Sequence, residues 1–173
     1  MIKTFIKKLA DEELDLIQIF LDIIKKTRSK YCIIGGLGVN AYVEPVVSLD
    51  LDFVVLVANI KQISTAAKKQ GLQIKKFEHS INICMSGSDI RIQIQTDPRY
   101  QEFIKRAKDK NVLGYKMKVA SLKDILQGKI WAYQDKERRK SKRQKDLADI
   151  IRLVEKYPEL IKILPSDINS MVS

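Results

Sequence analysis

The sequence predicts a mixed α/β fold carrying a C-terminal helical segment, and three observations support that expectation. Residues 31–55 read as an apolar strand that breaks at Gly35-Gly36, a short helical piece, a loop marked by Glu44-Pro45, and a second strand holding Asp50 and Asp52. Residues 89–95 alternate strictly, with Ile90, Ile92 and Ile94 facing one way and Asp89, Arg91, Gln93 and Gln95 the other. The two ends of the chain instead repeat their apolar residues at helical spacing. A length of 173 residues suits one domain with a substantial core, or one domain with a small appendage. The expected division is an α/β core over residues 1–120 and a helical segment over 121–173 packed on it, with a soft boundary because no repeat or low-complexity linker separates them.

Taken in order, Asp11 is expected to cap a helix with Glu12 and Glu13 in its first turn and Lys25, Lys26 and Arg28 at its end. Its buried face would be Leu14, Ile17, Leu21 and Ile24, widened by Leu16, Phe20 and Ile23. In the strand of the two aspartates, Leu49, Leu51 and Phe53 are expected in the core. Residues 59–70 predict a helix stopped by Gly71, and 72–77 and 81–85 two short strands around Glu78-His79-Ser80. Asp97-Pro98 supplies an N-cap and a proline at N1 for a helix packing through Tyr100, Phe103 and Ile104. Gly114 marks a loop or hairpin before an extended segment at 115–119. Ser121 and Asp124 resemble a capping box with the shorter acid, opening a helix to about Tyr133. A strongly basic stretch follows, then an amphipathic helix over 146–156 on Leu147, Ile150, Ile151 and Val154, and a last helical piece between Pro158 and Pro165.

With 45% hydrophobic and 31% charged residues the chain is neither disordered nor fibrous. A net charge of +11 favours a polyanionic partner such as nucleic acid or nucleotide phosphates. Cys32 and Cys84 lie in apolar surroundings without metal-ligand spacing and are expected as reduced core cysteines of a cytoplasmic protein. No apolar run reaches the length of a membrane span.

Asp50 and Asp52, two apart on a strand, share one face. Adjacent carboxylates repel unless a cation lies between them, and such hard oxygen donors suit Mg²⁺ or Mn²⁺ held jointly with substrate phosphates; a solvated strand face with two unrelated acids is the plainer alternative. Gly35-Gly36, where a strand passes into a helix, lets backbone N–H groups approach a phosphate. Further on, the helix stripe Leu122, Ile125, Leu126, Lys129, Ala132 and Tyr133 places a lysine in a core-facing position, where its ammonium needs a partner. Asp146, one turn before Ile150, would be costly if unpaired, and Lys129 or Arg143 could pair with it.

The Gly-Gly turn followed by Ser48-x-Asp50-x-Asp52 resembles the DNA polymerase β-like nucleotidyltransferase superfamily. Lys129-Ile130-Trp131-Ala132 and Arg143-Gln144-Lys145-Asp146-Leu147-Ala148-Asp149 further resemble the Lys-x-x-Ala and Arg-x-Lys-Asp-x-x-Asp motifs of the AbiEii/AbiGii nucleotidyltransferase toxins, over roughly residues 30–155. The resemblance implies a nucleotidyltransferase fold and transfer of an NMP from an NTP to a hydroxyl of RNA or protein, with a cognate antitoxin as partner. It implies that Asp50 and Asp52 hold Mg²⁺ or Mn²⁺. Gly35, Gly36 and Ser48 would position the triphosphate, Lys129, Arg143 and Lys145 would offset its charge, and Asp146 would orient the basic group. The chain departs from the pattern where a third acid is usual, since Gln93 takes that position. An amide can coordinate a metal but cannot neutralise it or act as a base. The alternative is therefore a catalytically impaired protein of this fold that binds RNA or a protein partner. Of the seven Lys or Arg among residues 136–145, most are expected on a solvated face or loop. His79 is expected on the surface, and Trp131 and Tyr133 in the core.

Overall fold

Asp15 caps helix α1 (Leu16–Lys26) by accepting the Gln18 backbone N–H, and also receives the Tyr115 hydroxyl. The computed structural model describes residues 15–173, so the expected cap at Asp11, with Glu12, Glu13 and Leu14, lies outside the described residues. Strand β1 (Tyr31–Ile33), helix α2 (Gly35–Val39) and strand β2 (Asp50–Val55) follow. Next come α3 (Ile60–Lys69), β3 (Gln73–Lys76), β4 (Ser80–Cys84) and β5 (Arg91–Gln95). A short α4 (Phe103–Arg106) leads into the hairpin β6 (Lys108–Val112) and β7 (Tyr115–Val119). Helices α5 (Leu122–Gln134), α6 (Lys140–Lys156) and α7 (Ser166–Val172) complete the chain.

The seven strands form one mixed sheet in the order β3-β4-β5-β2-β1-β7-β6, with β2/β5 and β1/β7 parallel and the other neighbours antiparallel. This is the mixed α/β architecture expected from the sequence. Leu51 and Phe53 point to the face covered by α1, where Phe20 meets the Phe53 ring edge-on at 4.8 Å. Asp50 and Asp52 point to the opposite face, toward α5 and α6. In β5, Ile92 and Ile94 are fully buried beside Leu51 and Phe53, while Arg91 and Gln93 stand beside Asp50 and Asp52. One polar row therefore crosses three strands, from Asp52 through Gln93 to Asn82, whose buried Oδ1 has no hydrogen-bond partner.

Several expectations need correction. Leu49 is 42% exposed rather than in the core, because the strand begins only at Asp50 and the residue before it belongs to an open loop. Of the loop or hairpin left open at Gly114 the structure forms the hairpin, although Lys108, Asp109, Lys110 and Asn111 hide the apolar signal of β6 and only Val112 is buried. It forms because Leu113 and Gly114 both adopt positive φ, which makes the tight hairpin turn. Ser121 accepts the Asp124 N–H, but the Asp124 carboxylate binds Arg106 instead of closing a capping box. Helix α6 starts at Lys140, six residues ahead of the expected onset at Asp146, so the second half of the basic stretch is helical, and most Lys and Arg of the stretch are exposed as expected. Cys32 is buried, and burial pushes its thiol up to about 12; Cys84 is half-buried, and both are free. His79 is exposed, and Trp131 stacks on Phe103 in the partly buried layer.

Candidate active site

The first half of the site comes from the turn between β1 and α2. Gly35 has φ +63°, and a Cβ there would lie 2.2 Å from Asp52 Oδ2, so only glycine allows that carboxylate to sit against the backbone. At Gly36 the nearest atom to such a Cβ would be Ser48 at 3.9 Å, which leaves ordinary space. Ser48 donates to the Asp50 backbone carbonyl at 2.9 Å and fixes the entry into β2.

Helices α5 and α6 supply the second half. Lys129, 7% exposed, donates to Asp146 Oδ1 at 3.0 Å and lies 2.7 Å from Asp149 Oδ2. Burial works against its charge, but Asp149 and Asp146 outweigh that effect and hold the ammonium above its ordinary range. Asp146, 1% exposed, receives Arg138 Nε on its other oxygen at 2.7 Å, and Arg152 pairs with Asp149 at 2.8 Å. Arg152 also reaches the Glu44 carbonyl, while Lys156 and Tyr157 bind the Tyr42 carbonyl, so α6 and its end fasten the loop that leads to Ser48.

Between the halves lies a pocket of about 220 Å³ lined by Gly36, Ser48, Asp50, Asp52, Lys129 and Lys145, with Arg138, Arg139, Lys142, Asp146, Asp149 and Arg152 completing its charged wall. A smaller cavity of about 70 Å³ adjoins Gly35, Asp52, Gln93, Lys129 and Arg138. The structure thus brings together eight of the nine residues singled out from sequence: Gly35, Gly36, Ser48, Asp50, Asp52, Lys129, Lys145 and Asp146. Arg143 is turned elsewhere. It donates to the Tyr133 carbonyl at 2.7 Å and lies over the Tyr133 ring, bracing α5 against α6. Of the two cations expected as partners of Asp146, Lys129 pairs with it and Arg143 does not, because Arg143 faces the other helix; Arg138 takes the second oxygen. Arg138 and Lys142 were missed. Both belong to the basic stretch, and for Arg138 the available signal was the buried Asp146, whose second oxygen also needs a donor.

Asp50 accepts a hydrogen bond from Arg91 Nε on Oδ1 at 3.0 Å, lies 2.7 Å from Arg91 Nη2 in the same ion pair, and faces Lys142 at 3.5 Å. Asp52 makes no ion pair among the described residues. Burial pushes its carboxyl up to about 6, opposed by Lys129 and aided by the charge of Asp50. Among the described residues no group of three or more His, Cys, Asp or Glu is placed to hold a metal. The two β2 carboxylates still fit one hard cation shared with phosphates, since Asp52 is a half-buried carboxylate without an ion pair beside a second acid, with Gln93 next to it in register.

The mixed seven-stranded sheet with its helices matches the fold of nucleotidyltransferase structures already solved. The chain is similar to ANT(2'')-Ia in complex with adenylyl-2''-tobramycin, with TM-score 0.65 and 14% identity over 91% of this chain and 97% of that one. It is also similar to the lincomycin-bound lincosamide antibiotic adenylyltransferase LnuA (TM-score 0.56, 11% identity, 79% and 95% covered). A third is an antigenic nucleotidyltransferase-like protein from Paracoccidioides brasiliensis (TM-score 0.50, 20% identity, 89% and 75% covered). No family model and no curated protein matches the chain. Among the described residues no helix is long and apolar enough to cross a membrane.

Proposed function

We propose that this protein is a metal-dependent nucleotidyltransferase that moves an NMP from an NTP to a hydroxyl acceptor. The observation that carries the reading is the convergence of Gly36, Ser48, Asp50 and Asp52 with Lys129 and Lys145 on one pocket, assembled from both halves of the chain. Asp50 and Asp52 would hold Mg²⁺, or Mn²⁺ in its place. When bound, the ion would neutralise phosphate charge and lower the pKa of the attacking hydroxyl. The Gly35-Gly36 turn and Ser48 shape the floor for the triphosphate, and Lys145, with Lys142, offsets its charge. The buried Lys129–Asp146–Arg138 group holds α5 and α6 in place behind it. In the transfer the acceptor oxygen bonds to the α-phosphorus, the bond from that phosphorus to the bridging oxygen breaks, pyrophosphate leaves, and the hydroxyl proton passes to water.

Acceptor chemistry follows from charge. ANT(2'')-Ia was seen with an adenylylated aminoglycoside, a polycation. Here Arg139, Lys142 and Lys145 stand at the pocket and the chain carries +11 net charge, which repels polycations and attracts RNA. The resemblance to AbiEii/AbiGii toxins adds a cognate antitoxin as protein partner, for which growth arrest on expression, lost in Asp50→Ala, is the test. A second reading, an impaired member of the fold that binds RNA or a partner, is favoured by Gln93 beside Asp52 and by Arg91 occupying Asp50. Incubation with labelled NTPs, Mg²⁺ and total cellular RNA separates the two. Label incorporated by the wild type and lost in Asp52→Ala supports transfer, whereas RNA binding without incorporation supports the second reading.

A further inference from the structure

The pocket wall carries more positive than negative charge, although two of its acids are the candidate metal ligands. Lys129, Arg138, Arg139, Lys142, Lys145 and Arg152 oppose Asp50, Asp52, Asp146 and Asp149, six cations to four carboxylates. The ion pairs sort them. Lys129, Arg138 and Arg152 are held by Asp146 and Asp149, and Arg91, from outside the wall, neutralises Asp50. Arg139 and Lys145 make no ion pair among the described residues, and Lys142 has only its 3.5 Å approach to Asp50. These last three cations lie on the cap and first two turns of α6, whose first turn contains no acid and whose cap residue offers no side-chain hydrogen bond. Cations at that end of a helix oppose its dipole, so an anion settled among them relieves both the dipole and their mutual repulsion. Gln93 adds to the balance, because an acid in its place would put another negative charge beside Asp52.

We propose that this pocket captures the triphosphate of a nucleotide without a divalent cation, through Arg139, Lys142 and Lys145, and that the metal serves the transfer step alone. The proposal rests on the nucleotidyl-transfer reading and adds an order to it: anion first, metal second. In a site dominated by acids the free triphosphate would be repelled until a metal neutralised it; here the protein's own charge does that work.

The test is equilibrium binding of ATP, GTP, CTP and UTP to the full chain, once in EDTA and once in Mg²⁺. The expected Kd for the preferred nucleotide in EDTA lies within about tenfold of that in Mg²⁺. Inorganic tripolyphosphate competes, the nucleoside does not, and the affinity in EDTA weakens steeply with salt. The doubly reversed variant K142E/K145E binds at least about tenfold more weakly in EDTA, while Asp52→Asn, which removes a negative charge from the wall, binds more tightly. Measured in Mg²⁺, Asp52→Asn leaves a second check if the reversed variant does not fold, since a metal-first site loses affinity with its metal ligand whereas this site keeps it. Binding in Mg²⁺ that disappears in EDTA, or failure of tripolyphosphate to compete, overturns the proposal and leaves the transferase reading standing. Absence of nucleotide binding in both conditions overturns both.

Discussion

Asp52→Asn is expected to stabilise the protein at alkaline pH while abolishing transfer. The Asp52 carboxyl rises from 3.8 to about 6, chiefly through burial, so the folded state holds its proton more tightly than the unfolded chain does. Below the unfolded value both states are protonated and the group costs nothing. As pH rises through the window from 3.8 to about 6 the folded state loses that advantage, and above it the buried charge is a standing penalty. About two pH units at 1.36 kcal/mol each give a ceiling of about 3 kcal/mol; because Asp52 keeps some solvent contact, the expected gain is about 1–3 kcal/mol. Urea denaturation of wild type and variant in EDTA, at pH 4 and at pH 8, measures it. The two proteins should have nearly equal stability at pH 4, and the variant should be the more stable at pH 8. A variant less stable than wild type at pH 8, or a difference that ignores pH, would refute the reasoning, because it would mean that the carboxylate is satisfied in the folded state.

Lys129→Met should be severe, costing about 3–5 kcal/mol, because Asp146 and Asp149 would each lose their shared buried cation and Asp146 would be left to Arg138 alone; the midpoint of urea unfolding reports it, and a change below about 1 kcal/mol would show that the pair is not buried as a unit. Gln93→Asp should restore an acid beside Asp52, lowering stability in EDTA at pH 8 and enlarging the rise in Tm produced by Mg²⁺. An unchanged response to Mg²⁺ would place the metal away from β2.

The paired aspartates were legible because a strand has period two, and nothing in the tertiary structure could move Asp50 and Asp52 to different faces without breaking β2. Lys129 was legible for a similar reason: a helix places one residue of its stripe inward whatever its chemistry. Where local pattern was silent, reading failed. Strand β6 is an edge strand whose lysines and aspartate look like loop, and its existence depends on β7 beside it. Arg138 precedes α6 and reaches Asp146 only because the short connection from α5 folds back, a geometry that no periodicity encodes. Arg143 was singled out by a resemblance in sequence, yet its helical angle aims it at the Tyr133 carbonyl. Leu49 lay one residue outside the strand, where alternation no longer applies.

The fastening of the Tyr42–Ser48 loop by Arg152, Lys156 and Tyr157 has a consequence for synthesis. Those partners lie more than a hundred positions apart in the chain. While the ribosome is still making α6, the glycine turn and β2 are already free to pair with β1, but the loop beside them has only its local bonds, from Asn40 to Val46 and from Ser48 to Asp50. A chain interrupted before Arg152 would carry both aspartates and most of the charged wall, but would lack the ties that join α6 to the loop beside them. Confinement of a nucleotide therefore waits on the emergence of α6, however early the two aspartates are in place.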